Sequence, residues 1–251
     1  MDLSPRFYPL LLVAGIVPFL LLLLYSLITA VTRFNPLWLR KVVSVLSPGV
    51  VPLWWFTTDA VSPGAGDNMI ATALANEGAK LFADRKKAGE ALKHTRIICL
   101  SVDGEECGLR GSMAYAARHA RELTGIKTYA FCMDTLYHAD KLIFFDNDLN
   151  LTVDCSHAMA QELTDIATSL GYKARVDHMP WGGGSTDAAA FAQKGIEATC
   201  LLAFELDITK LDTDLVYHTP RDTTDAIEPA VVEQALNVIA AYILKKDAEV
   251  R

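Results

Sequence analysis

Residues 128–134 read TYAFCMD and residues 197–203 read EATCLLA. Both are short apolar runs containing β-branched or aromatic side chains, without regular polar alternation. Such runs read as strands buried on both faces. Residues 95–102, TRIICLSV, share this character and predict a third buried strand. Lys141–Phe145 and Lys173–His178 are weaker strand candidates, expected near an edge. Helical patterns lie between: Met69–Lys93, Ser112–Leu123, Asp154–Leu170, Asp187–Lys194 and Pro229–Lys246, with Pro229 suited to a first turn. Strands alternating with helices predict an α/β fold, a mostly parallel central sheet with helices on both faces.

The 251 residues suffice for one full α/β domain with chain to spare. The spare chain is N-terminal. From Tyr8 to Val31 there is no charged residue, and a run of this length predicts a transmembrane helix. It exceeds the apolar region of a signal peptide, and no clear cleavage site follows. A second apolar stretch, Val42–Phe56, is broken by Pro48, Gly49 and Pro52 and ends near Trp54–Trp55, residues suited to a membrane interface. Arg33, Arg40 and Lys41 lie between the two. If both stretches cross as a hairpin, the basic connector is cytoplasmic and the soluble domain is outside; if only the first crosses, the domain is inside. Residues 1–60 thus read as a membrane segment and 61–251 as a catalytic domain.

The net charge of -7 argues against nucleic acid as a partner, since phosphate contacts need clustered Lys and Arg. The five cysteines, Cys99, Cys107, Cys132, Cys155 and Cys200, form no C-x-x-C pair. Cys99, Cys132 and Cys200 fall in the apolar runs and read as small buried side chains. The glycine-rich stretch Trp181–Ser185 lacks the lysine and spacing of a phosphate loop. Asn150-Leu151-Thr152 is a glycosylation sequon, meaningful only outside a eukaryotic cell.

Acidic and imidazole groups fall at telling places. Asp67 (SPGAGDN) precedes a long helix, and Glu105–Glu106 (DGEECGLRGS) follows a predicted strand. Asp134 ends the strand TYAFCMD, and His218 (VYHTPRDT) lies in a loop before the last helix. Taken singly, each has a plainer reading as a cap, a turn or a surface group. Taken together, strand ends of an α/β sheet converge on one edge, where ligands bind. Carboxylates gathered there repel one another unless a cation neutralises them. Carboxylate and imidazole ligands suit zinc, and a doubled glutamate can supply a metal ligand and a proton acceptor side by side.

The order PGAGDN, GEECGLRGS, a strand ending in MD, GGGSTDAAAF and YHTPRDT resembles the zinc aminopeptidase family of bacterial leucyl aminopeptidase and aminopeptidase Y. The resemblance runs from about Ser62 to the C-terminus. It implies two zinc ions, with Asp67 bridging them, Glu106 and His218 completing one site, and Asp134 serving the other. It implies Glu105 as general base and a peptide with a free N-terminus as substrate. Asp187 matches a family motif and reads as the N-cap of the next helix.

The family also places a His-x-Asp motif ahead of the bridging aspartate, and nothing from Met1 to Asp67 supplies it. The nearest shape is Thr57-Thr58-Asp59, and His138 is a candidate substitute. Met1-Asp2 is expected to be the tail of His-Met-Asp, with a membrane hairpin inserted before PGAGDN, so that the second metal site of this chain is impaired. Two alternatives stand beside the peptidase. One is a single-zinc enzyme resembling glutaminyl cyclases, using Asp67, Glu106 and His218. The other is a non-catalytic membrane protein of the same fold. Genomic DNA should carry an in-frame histidine codon directly before Met1; an in-frame stop codon there would sink the hairpin-insertion reading.

Overall fold

The computed structural model describes residues 8–32, 34–56, 61–179, 183–205 and 216–250. The chain divides into two compact units, Met1–Val61 with Asp207–Leu215, and Ser62–Leu206 with Val216–Arg251. Thr57-Thr58-Asp59 and Trp181 lie outside the described residues.

In the first unit, helix α1 spans Tyr8–Thr32 and α2 spans Leu37–Leu46, continued by a 3-10 segment, Ser47–Phe56. The change of helix type has a chemical cause. Pro48 and Pro52 lack the N–H that an α-helix needs at those positions. The hydroxyl of Ser47 donates to the Ser44 carbonyl at 3.0 Å, replacing the bond Pro48 cannot make.

The second unit is α/β. Its elements are α3 (Ile70–Lys87), α4 (Arg110–Thr124), β1 (Tyr129–Leu136), β2 (Leu142–Asp148), β3 (Val153–Asp154), α5 (His157–Ser169), β4 (Ala174–His178), α6 (Asp187–Ala192), β5 (Glu197–Ala203) and α7 (Pro229–Glu249). The sheet runs β1-β5-β2-β3, with β4 also on β2. β1 pairs parallel with β5, and β2 parallel with β4; an antiparallel β5–β2 junction joins these pairs.

Alternate strand residues feed two cores, as a period of two requires. Leu142, Phe144, Leu201 and Ala203 pack on α3, α5 and α7 through Leu74, Leu163 and Val238. Ile143, Phe145, Cys200 and Leu202 face the other way, onto α4 and α6 through Leu123 and Phe191. The expected α/β sheet with helices on both faces is therefore present, but it is mixed rather than mostly parallel, with β1–β5 and β2–β4 parallel and β2–β3 and β2–β5 antiparallel.

Three further expectations are corrected. Lys141–Phe145 was expected near an edge, yet β2 lies between β5 and β4, with Leu142–Phe145 fully buried. Thr95–Val102 forms no strand among the described residues. The Thr95 N–H at its start, with those of Lys93 and His94 just ahead of it, donates to the Asp247 carboxylate of α7. An apolar run becomes a strand only when a neighbour accepts its ladder bonds, and here none does. Ile98 and Cys99 are consequently exposed, against the expectation of a buried Cys99. The third concerns α6: Thr186, not Asp187, is the N-cap, its hydroxyl accepting from Ala188 N–H. All five cysteines are free.

Candidate metal centre

Four chain segments meet at the shared carboxyl end of β1 and β5. The first is the PGAGDN loop. Asp222 is fully buried, and its carboxylate accepts N–H bonds from Gly66 at 2.7 Å and Asp67 at 3.2 Å. Its own carbonyl accepts from Ala65 N–H at 3.2 Å. The Asn68 amide donates to the Met133 carbonyl at 2.9 Å, tying the loop to the end of β1. Gly66 is required here: a Cβ would lie 2.0 Å from the Tyr137 ring. These contacts aim Asp67.

The second segment is the GEECGLRGS turn into α4. Gly108 and Leu109 N–H groups donate to the Glu105 carbonyl, and Gly111 N–H donates to the Asp103 carbonyl. A Cβ on Gly111 would stand 2.3 Å from that carbonyl oxygen, so the motif's glycine is sterically fixed. The turn presents Glu105 half-buried and Glu106 exposed.

The third is the end of β1. Register shifts between Met133 and Leu136, and Thr135 is left-handed at φ 49°. This irregularity re-aims the intervening Asp134, as bulges beside active sites do. The Thr135 hydroxyl donates to Asp134 Oδ1 at 3.0 Å. The fourth is the loop carrying His218, itself left-handed at φ 57°. The Tyr217 ring stacks on His218 with centroids 3.8 Å apart.

His218 Nε2 lies 2.7 Å from Glu106 Oε1 and 3.1 Å from Asp67 Oδ2. The three ligand atoms are all within 4.8 Å of one another. Two carboxylates and one imidazole so placed fit a zinc ion with an open position. Asp134 stands close enough for Asp67 to raise its pKa. It belongs to no comparable three-ligand group among the described residues. His138, the candidate substitute, instead directs Nδ1 to Glu228 at 3.1 Å.

The electrostatics are those of a site short of positive charge. Burial, then the Asp134, Glu106, Asp187 and Asp67 carboxylates, push Glu105 up to about 8. Burial, then Asp67, raises Asp134 to about 7. The hydrogen bond to Asp67 raises His218 to about 9. Burial, then the surrounding carboxylates, hold the Tyr217 phenol protonated far above its usual range.

Two residues of the site had no such role in the sequence reading. Asp222 stands in the quoted motif YHTPRDT, but nothing in its spacing shows that it clamps a loop 155 residues away. Asp187 contributes charge to Glu105 and Asp134 rather than a cap.

Residues 52–243 match the model of peptidase family M28. The chain belongs to that family. Its fold is similar to BSAP, a zinc aminopeptidase from Bacillus subtilis, with TM-score 0.59 and 22% identity over 75% of this chain and 44% of that one. LapB from Legionella pneumophila gives TM-score 0.61 and 18% identity over 78% of this chain and 50% of that one. The aminopeptidase from Aneurinibacillus sp. strain AM-1 gives 0.55 and 22%, over 74% and 41%. The chain thus spans half or less of the length of these structures. No curated protein matches it by sequence.

Two predictions follow from this geometry. Glu105, Asp134 and His218 all bind protons more tightly folded than unfolded. Their stabilisation is complete at low pH and is lost as pH rises through about 7 to 9. The metal-free domain should therefore melt progressively lower from about pH 5 to about pH 9, and Glu105→Gln should flatten that slope. Equal slopes for the two proteins in thermal scans with chelator would contradict this. Asp222→Ala should orphan the Gly66 N–H, destabilise the domain by about 1–3 kcal/mol, and weaken zinc affinity by roughly 10–100-fold, read by competition with a chromogenic chelator.

Proposed function

We propose that this chain is a membrane-anchored metallo-aminopeptidase that removes N-terminal residues from peptides. The observation that carries the reading is the convergence of Asp67, Glu106 and His218 at the sheet end, with the proton-hungry Glu105 beside them.

Asp67, Glu106 and His218 would hold one zinc, and Asp67 with Asp134 would hold a second. Zinc bound there supplies polarisation of the scissile carbonyl and acidification of the attacking water. Glu105 accepts the proton of that water at its carboxylate and delivers it to the leaving amine nitrogen. Its high proton affinity without metal suits it to that exchange. The excess of carboxylates around the site favours a substrate with a free, cationic N-terminus, consistent with an exopeptidase. The apolar helix α1 serves as the anchor.

A second reading uses a single zinc, as in a glutaminyl-cyclase-like enzyme. It is favoured by the one three-ligand group found among the described residues.

The full chain in detergent, loaded with zinc, should release N-terminal residues from a panel of aminoacyl amides. Glu105→Gln should reduce turnover by roughly 10²–10⁴-fold while zinc content stays unchanged. Undiminished turnover in Glu105→Gln would remove Glu105 from the reaction. Zinc counted per chain separates the readings: near two supports the di-zinc peptidase, near one the single-zinc site.

A further inference from the structure

The first unit, taken by itself, is built as a hairpin. Along α1 the residues that lose exposure are Gly15, Pro18, Leu22, Tyr25 and Thr29, alternately three and four apart. Along the return arm, α2 and its 3-10 continuation, they include Leu39, Val43, Leu46, Gly49 and Leu53, at similar spacing. Such spacing marks the seam of two packed helices. The seam is close because small residues face large ones. A Cβ on Gly15 would meet the Leu53 side chain at 2.6 Å, and one on Gly49 would meet Pro18 at 2.8 Å. Gly15 near the start of α1 thus faces Leu53 near the end of the return arm. At the other end the Tyr25 hydroxyl donates to Asn35 Oδ1 at 2.7 Å. The two arms are antiparallel.

Their lengths agree. The 25 residues of α1 rise about 37 Å. The ten α-helical residues of α2 give about 15 Å and the ten 3-10 residues about 20 Å, together about 35 Å. The 3-10 stretch is what allows a short apolar run to span. Val42–Phe56 covers about 27 Å, close to the roughly 30 Å of a bilayer's hydrocarbon core.

Both outer faces are apolar and exposed: Leu20, Leu24 and Leu27 on α1, Val42, Val45 and Val51 on the return arm. The polar groups within are satisfied internally, as lipid demands. Ser26, Thr29 and Thr32 donate to carbonyls of their own helix, and Ser47 to the Ser44 carbonyl.

We infer that both arms cross the bilayer, so that the occupant of these apolar faces is lipid and Val61 emerges on the side from which α1 starts. The turn and the first residues of the return arm carry Arg33, Arg40 and Lys41 and no acid, whereas on the opposite side residues 1–7 carry one basic residue, Arg6, and residues 57–67 carry no Lys or Arg. The connector is cytoplasmic by this bias, and residues 62–251 are extracytoplasmic. Among the described residues α1 is the one helix long and apolar enough to cross by itself; the return arm reaches that span only as α2 joined to its 3-10 continuation.

The test uses the full chain in bacterial inner membrane and a membrane-impermeant maleimide on right-side-out spheroplasts. The exposed Cys99 and Cys107 should be labelled equally before and after permeabilisation. In a Cys99→Ser/Cys107→Ser background, Phe34→Cys should be labelled only after permeabilisation. Domain cysteines that react only after permeabilisation, a connector cysteine that reacts from outside, or a chain stripped from the membrane by alkaline carbonate would each overturn the hairpin. If the serine variants fail to accumulate, alkaline phosphatase fused after Arg251 decides: an active fusion supports the inference, an inactive one overturns it.

Discussion

A buried carboxylate with two backbone donors holds the centre of this structure together. Asp222 accepts from Gly66 and Asp67, and its carbonyl accepts from Ala65. One side chain thereby fastens the loop that presents Asp67 to the loop that presents His218. The grip works only because Gly66 has no side chain and lets the loop lie on the Tyr137 ring. Remove the charge or add a methyl group, and the segments that build the metal centre no longer register.

What that clamp gathers is an unfavourable collection of charges. Beyond burial, the Asp134, Glu106, Asp187 and Asp67 carboxylates raise the proton affinity of Glu105. Asp67 foremost, with Asp187 and Glu106, raises that of Asp134, and His218 contacts both Asp67 and Glu106. A fold that concentrates like charge in partly buried positions stores an attraction for cations. His218 Nε2 lies 2.7 Å from Glu106 and 3.1 Å from Asp67, so in this arrangement the imidazole is what faces both carboxylates. Glu105 and Asp134 are the carboxyls of the site that burial and their neighbours push up.

The first unit follows a different logic, set by long apolar helices rather than by gathered charge. Its prolines interrupt the α-helical ladder, and the Ser47 hydroxyl takes up the Ser44 carbonyl that Pro48 leaves without an N–H. The resulting 3-10 helix is longer per residue than an α-helix. Prolines that look like a defect in an apolar helix in this way lengthen it.

Much was legible from the chain alone. The five motifs in order marked the family, the apolar runs at 128–134 and 197–203 marked β1 and β5, and Asp67, Glu106 and His218 were named as one site. These are local signals: alternation, composition and spacing survive without knowing what lies alongside. Other features depended on partners distant in sequence. TRIICLSV has every local attribute of a strand, but no neighbour accepts its ladder, and Asp247 takes its first N–H. β2 is central because β4 and β5 flank it, which five residues of its own cannot reveal. His218 meets Glu106 across 112 positions, and Asp222 meets Asp67 across 155. The sequence by itself determined which groups were available for chemistry and where the long apolar helix would lie. Only the tertiary structure decided which groups stand within bonding distance, because hydrogen bonds and charge coupling act over a few ångströms that chain order does not measure.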